Sequence, residues 1–438
     1  MRINIPEQLV PLSALNFAVF LSNCPPDDEY IYDFRRMQHC KPYGLLVVGA
    51  AIRNNIAKYP NAKHTMINTD ATQGGQFASS FGFYQSIGQD IGDAKEEYDH
   101  GNRYVPIKKI SAKDIHAKYS DTLELNMKIE RHSGELADML VGDQPQNVRD
   151  AIRYCFREII RNTFEHAKTS DLWVCGQYWP SRDEAEIAIL DEGIGILRSL
   201  QSNRRINVKS CKEANVLAVQ PGLSRTIGEK QDPFDRWQNS GYGLYVASTL
   251  CALNNGYFCL SSGDNAQLIS ASGQYSYDCA QKGTAICVNV RIDGRKLRHF
   301  DKTLNAIVAE GEKKARGNAE ARILTASKVT TIASLLRNIE ETVDKGATNA
   351  VSHVGEDLIP IDTVVQFEAQ LTQGNGEVFG KFEYNGKQHH GVLLNVNKRN
   401  RQMYVERKMK IQAVVRKAKG GLYTLLEQHK YEKIKKLK

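Results

Sequence analysis

Glu158, Asn162 and His166 follow one another at intervals of four in the stretch REIIRNTFEHA. On a helix this spacing places three side chains one above another on a single face. A carboxylate one turn from a carboxamide is a pair that a hydrolytic nucleotide site can use. The Glu can orient and deprotonate a water, and the Asn carbonyl oxygen can coordinate Mg²⁺, a hard cation that prefers oxygen ligands. A solvated polar helix face would show the same spacing. Asp191 ends the apolar run EIAIL. A buried acid at a strand end can accept a hydrogen bond from an exocyclic amine such as that of adenine. Gly193 and Gly195 follow it and let the backbone turn sharply and approach a ligand, although an ordinary turn would use them too. Gly241 and Gly243 immediately precede a helical run that begins at Leu244. Exposed N–H groups on a glycine loop and at a helix N-terminus suit phosphates. Gly283-Thr284 then opens the strand AICVNV.

These pieces need strands and helices in a definite order to bring them together. Residues 1–110 alternate strands and helices. YIYDF at 30–34 reads as a strand, Pro42-Tyr43-Gly44 opens the helix LLVVGAAIRNNIAKY, and YVPIKKI at 104–110 reads as another strand. Residues 111–168 are helical, and 171–300 alternate short strands, glycine turns and the helix 243–253. Residues 301–355 are helical and polar, with Gly311 and Gly317 as weak points and Pro360 beyond them. In 361–415 the alternation of Val365, Phe367, Ala369 and Leu371, with hairpin turns at Asn375-Gly376 and Asn385-Gly386, predicts a small antiparallel sheet or barrel.

Taken in sequence, the motifs resemble those of the GHKL ATPases, the family of DNA gyrase, heat-shock chaperones and histidine kinases. The family's N-box looks like Glu158 and Asn162, its first glycine motif like Asp191-Glu192-Gly193-Ile194-Gly195, its second like Gly241-Tyr242-Gly243-Leu244, and its closing Gly-Thr like Gly283-Thr284. The resemblance covers roughly residues 130–295. It implies a two-layer α/β sandwich holding Mg-ATP between helices and a mixed sheet. Glu158 would be the general base, Asn162 the Mg²⁺ ligand, Asp191 the adenine reader and Thr284 its support. His166, Gly193, Gly195, Gly241, Gly243 and Leu244 would complete the nucleotide site. Residues 197–240 would be a mobile lid carrying Arg204, Arg205, Lys209, Arg225 and Lys230. The Glu158–Asn162–His166 spacing looks more like the anti-sigma-factor serine kinases than the histidine kinases, because neither His116 nor His132 has the phosphoacceptor context.

The N-terminal region resembles a STAS domain, the usual partner of such kinases. Cys40-Lys41-Pro42-Tyr43 stands where that family often presents a phosphorylatable Ser or Thr. The expected organisation is therefore a STAS-like α/β domain over 1–110, a GHKL domain with leading helices over 111–300, a helical connector over 301–360, and a small β domain with a basic tail over 361–438. The expected function is a Mg-ATP-dependent ATPase whose lid closure switches contacts with a partner. The alternative is an anti-sigma-type serine/threonine kinase or regulator.

The chain has 438 residues, 41% apolar and 25% charged, which excludes whole-chain disorder, collagen and coiled-coil rods. The longest apolar runs are far shorter than the roughly 18 residues that span a bilayer. The apolar stretch Leu9–Leu21 is interrupted by Pro11 and Asn16, and no cleavage pattern follows it. The nine cysteines are odd in number and include no C-x-x-C pair. They suit reduced thiols in a cytoplasmic protein that needs no membrane. The net charge of +8 is concentrated at one end: residues 398–438 hold fourteen Lys/Arg and three Glu, a balance of +11. That tail is expected to bind nucleic acid or an acidic protein, or simply to aid solubility. His389-His390 has no Cys or carboxylate cluster around it and reads as a strand edge. A homodimer is a further expectation.

Overall fold

The computed structural model describes residues 1–92, 104–111, 122–166, 171–203, 206–223, 241–292, 297, 299–316, 364–373, 377–384, 386–394, 410–419 and 422–427. His116, Gly317, Pro360, Asn375, Gly376, Asn385 and much of 398–438 lie outside them. The protein is mixed α/β with several sheets, and it divides into two compact units. Among the described residues the second unit holds the C-terminal strands together with residues 122–124.

The first unit opens with short parallel strands. β1 (Arg2–Asn4), β3 (Glu29–Asp33) and β5 (Lys63–Ile67) lie in the order β1-β3-β5, and β2 (Gln8–Leu9) pairs with β4 (His39–Cys40). Parallel neighbours require crossovers. These are α1 (Pro11–Ser22) and α2 (Pro42–Lys58). Two short helices follow β5, α3 (Gln73–Ser80) and α4 (Phe83–Ser86). Pro42 suits the first helical position of α2, where a missing N–H costs nothing. Every residue of Pro42–Ile52 is buried. A helix buried all round has a layer on each side.

The second of those layers is a five-stranded sheet. It contains β6 (Tyr104–Ser111), β7 (Asp171–Trp179), β8 (Glu184–Asp191), β9 (Tyr257–Ser270) and β10 (Gly273–Arg291), in the order β6-β7-β8-β10-β9. All its pairings are antiparallel. One face is covered by α1 and α2, and a single apolar cluster joins Tyr32, Leu46 and Ile52 to Cys175, Leu190 and Cys287. Against the other face lie α6 (Gln146–His166) and α9 (Gly243–Leu253), with α5 (Thr122–Val141) tied to α6 by an Arg153–Glu130 ion pair of 2.7 Å. The short helices α7 (Gly195–Gln201) and α8 (Cys211–Ala218) run along β9, and α10 (Phe300–Arg316) packs on α6 and α9.

This arrangement departs from the sequence reading in four places. The boundary expected at 110 falls at the end of a strand of the central sheet, because β6 pairs with β7. The sandwich has a third layer, since α1 and α2 cover the back of the sheet, and the sheet is antiparallel where a mixed one was expected. The described part of the expected connector, α10, is packed into the first unit. Gly311 is no weak point there, because a Cβ on it would come within 2.7 Å of the Tyr245 ring and 2.9 Å of the Tyr242 ring.

The fourth departure lies in the second unit. β11 (Val364–Gln373), β12 (Glu377–Tyr384), β13 (Lys387–Leu394), β14 (Lys410–Lys419) and β15 (Leu422–Glu427) close a barrel in the order β11-β12-β13-β15-β14. Alternation holds as read: Val365, Phe367 and Ala369 join its core. One pair, β13 with β15, is parallel. A hairpin from β14 brings β15 back beside β13, and β14 reaches β11 to close the ring. Two barrel strands therefore come from the basic tail. His389 is not a bare edge residue, since it stacks on Phe382 with ring centroids 5.6 Å apart. No helix among the described residues is long and apolar enough to cross a membrane.

Candidate functional site

β8 carries the sequence EAEIAILD and is buried throughout. Strand side chains alternate between faces. Glu184 and Glu186 reach Lys41 and the Tyr43 backbone of α2, so Asp191 projects to the opposite face, toward α6 and α9. Its carboxylate is 3% exposed and accepts the Gly193 N–H at 2.9 Å. Burial pushes its pKa up to about 7, against the pull of the Gly193 and Thr284 N–H groups. Among the described residues no cation pairs with it. Two backbone donors leave a carboxylate with further acceptor capacity.

Thr284 lies across from Asp191 on β10 and across from Ser262 on β9. The three form one row at the end of β8, beyond which β9 and β10 continue as a pair. Ser262 donates to the Gly283 carbonyl at 2.7 Å and accepts the Ile196 N–H at 3.0 Å, so it holds both glycine turns. Gly283 has φ of +74°. A Cβ there would be 2.1 Å from the Asp191 carbonyl oxygen. Gly195 is packed nearly as closely, 2.9 Å from the Ser262 hydroxyl by the same measure. The first glycine motif and the closing Gly-Thr are thus one structure. Sequence reasoning missed Ser262, and the only signal for it was a polar pair, Ser261-Ser262, inside an apolar strand.

Glu158 and the second glycine motif also meet. A Cβ on Gly243 would lie 2.5 Å from Glu158 Oε2, so a carboxylate abuts the N-terminus of α9, where the helix dipole favours negative charge. Both Glu158 oxygens are engaged. Arg157 donates to Oε1 from Nε at 3.1 Å and from Nη2 at 2.9 Å, and Arg161 donates to Oε2 at 2.5 Å. Three N–H donors therefore hold the carboxylate in place. Asn162, half-buried, stands one turn further along α6. His166 closes that helix, and its side chain lies outside the described residues.

Gly241 has φ of +72°, and its carbonyl accepts the Gly222 N–H at 3.1 Å. Leu244 is half-buried in the first turn of α9. Of the stretch expected as a lid, the described residues 197–203 and 206–223 gather Leu200, Ile206, Val208 and Ala214 into a small apolar cluster of their own, and α8 is held to β9 by Asn215, which donates to the Ser262 and Asn265 carbonyls at 3.1 and 2.7 Å. Arg204, Arg205, Arg225 and Lys230 lie outside the described residues. Of the lid cations only Lys209 is described, and its N–H donates to Glu213 at 2.7 Å.

Asp191 is a buried acceptor with capacity to spare, and its chemistry would fit an exocyclic amine such as that of adenine. Among the described residues no group of three or more His, Cys, Asp or Glu could hold a metal. An ion bound mostly by phosphates needs only one or two protein oxygens. All the cysteines but Cys211 are buried, and burial pushes the Cys155 and Cys259 thiols up to about 12. No family model, curated protein or solved structure matches the chain.

Proposed function

We propose that the chain is a GHKL-type ATPase that binds Mg-ATP and couples lid closure to its contacts with a partner. The observation that carries this reading is Asp191, a buried carboxylate that among the described residues has no cation partner, set in one row with Thr284 and Ser262. Asp191 accepts a hydrogen bond from the exocyclic amine of the base. The N-terminus of α9 faces the phosphates. Asn162 offers its carbonyl oxygen to Mg²⁺, which when bound offsets phosphate charge. Glu158, freed from Arg161, holds and deprotonates the attacking water.

Calorimetry on the full chain tests this. ATP should bind, and Asp191→Ala should lose on the order of 1–3 kcal/mol. Guanine presents an oxygen where adenine presents an amine, so equal ATP and GTP affinity in the wild type contradicts the assignment. Glu158→Gln keeps the shape between the two guanidiniums and should retain ATP affinity while turnover falls by roughly two to four orders of magnitude.

A second reading, an anti-sigma-type serine/threonine kinase or regulator, is favoured by the Glu158–Asn162–His166 spacing. In that case the acceptor belongs to a separate partner, because Tyr43 at the STAS-like helix start is buried and donates to Ser261 at 2.8 Å. Phosphate transfer to a partner rather than release to solvent selects it. The basic barrel is the proposed contact for nucleic acid or an acidic protein. Deleting 398–438 would remove β14 and β15, so charge reversal at exposed Lys410 is the cleaner probe. A phosphate contact there should lower the slope of log K against log salt by about 0.9 on duplex DNA. An unchanged slope removes that contact.

A further inference from the structure

Arg53 belongs to α2, in the layer behind the sheet, yet it reaches the first glycine motif. Its Nε donates to Glu192 Oε1 at 3.2 Å, and Nη1 donates to the Ser86 carbonyl at 3.2 Å. The guanidinium lies 4.4 Å above the Trp173 ring. Nη2 is buried with no hydrogen-bond partner. Trp173 pairs with Leu190 across β7 and β8, so the ring flanks the end of the strand that carries Asp191. A planar guanidinium stacked on an indole and bonded at its edge is fixed in two directions, which an ammonium cannot match. Glu192 directly follows Asp191. One dipeptide thus offers one carboxylate to the front face and anchors the other at the back.

We propose that Arg53 is a positioning residue for the base-reading loop: by holding Glu192 it sets the Asp191–Gly193 turn, and so makes the N-terminal layer a determinant of adenine selectivity. This rests on the nucleotide reading above. An ion pair that merely glues two layers would affect the stability of α2 and leave the loop's selectivity alone.

Two measurements on the full chain separate these. Hydrogen exchange without nucleotide follows the Gly193 N–H and its neighbours in 189–196. Arg53→Met and Glu192→Gln should each speed exchange there about tenfold, and the double variant should do no more than either alone. Calorimetry should then show ATP affinity about tenfold weaker with a smaller ATP/GTP ratio. Glu192→Gln keeps a neutral partner of the same shape and carries the test if Arg53→Met does not fold. Unchanged exchange in 189–196, or loosening confined to 43–52 with the ATP/GTP ratio intact, overturns the proposal. If the wild type takes no ATP, the nucleotide reading falls by itself, and the exchange comparison still decides whether Arg53 positions the loop.

Discussion

Glu184 and Asp191 stand at the two ends of one strand, and their carboxyl groups meet opposite conditions. Glu184 faces the back layer. Lys41 donates to it at 2.6 Å and Asn289 at 2.8 Å, while Lys41 is also 3.6 Å from Glu186. Tyr257 and the Tyr43 N–H donate to Glu186 at 2.6 and 3.1 Å. Burial alone would raise the Glu184 carboxyl, but the Lys41 and Asn289 donors hold it below its ordinary value. Asp191 faces the front, has backbone donors only among the described residues, and is held above its ordinary value by burial. A buried charge that is fully paired joins two layers. A buried charge without a counter-ion is a cost to the fold and a resource for a ligand that brings donors.

The largest effect should come from breaking the paired side. Lys41→Met removes the cation and leaves two buried carboxylates facing each other's field. Removing one partner of a buried pair costs about 3–5 kcal/mol. Thermal or denaturant unfolding of the full chain should register that loss. A change under about 1 kcal/mol would mean that the Glu184–Glu186 cluster is solvated, and the contrast between the two ends of β8 would collapse.

The second test uses pH, because the two carboxylates must respond with opposite sign. Glu184, held low, contributes stability at neutral pH that is lost as pH falls through its folded pKa. Asp191, held high, does the reverse. The folded state binds its proton more tightly than the unfolded chain, so its penalty is absent below about pH 4, grows through the window up to pH 7 and is complete above it. At full size that penalty is on the order of 2–4 kcal/mol. Asp191→Asn should therefore stabilise the chain at pH 8 and leave it unchanged at pH 4. If Asp191 reads the base in its ionised form, as proposed, ATP affinity should weaken as pH drops below 7 in the wild type and lose that dependence in the variant. A stability gain that is the same at both pH values would refute the raised carboxyl.

How much of this was legible in the sequence follows from distance along the chain. Asp191, Gly193 and Gly195 belong to one short segment, and a strand end followed by glycines is a local pattern. Their union with Gly283 is not such a pattern, since nothing local pairs residue 191 with 284. The back layer was opaque for the same reason. Lys41 and Glu184 are 143 residues apart, and an alternating α/β segment reads alike whether it stands alone or covers another sheet. β6 looked like the last strand of one domain because strand propensity carries no partner. In α10, Gly311 has a meaning set by Tyr242, Tyr245 and Pro221, all distant in sequence. The parallel β13–β15 pair is likewise a product of closure, which hairpin turns alone do not specify.

The smallest and sharpest test compares neighbours. Ser261 and Ser262 are consecutive on β9 and point to opposite faces. Ser261 accepts the Tyr43 hydroxyl of the back layer at 2.8 Å, whereas Ser262 ties the Ile196 N–H to the Gly283 carbonyl. Each alanine variant removes one hydroxyl of the same volume from a buried site. Each should lower stability by about 1 kcal/mol, the usual net worth of such a bond. Their effects on nucleotide should differ. Ser261→Ala leaves the Asp191–Thr284 row intact and should keep ATP affinity. Ser262→Ala frees the two glycine turns beside Asp191, so on the proposed reading it should weaken ATP by roughly threefold to tenfold, in proportion to the one or two bonds lost. Both variants keep the same strand and the same register, so a general loosening of β9 would weaken ATP equally in the two. Equal losses by calorimetry would therefore assign the effect to the strand, and only the asymmetric result ties it to the face that carries Asp191.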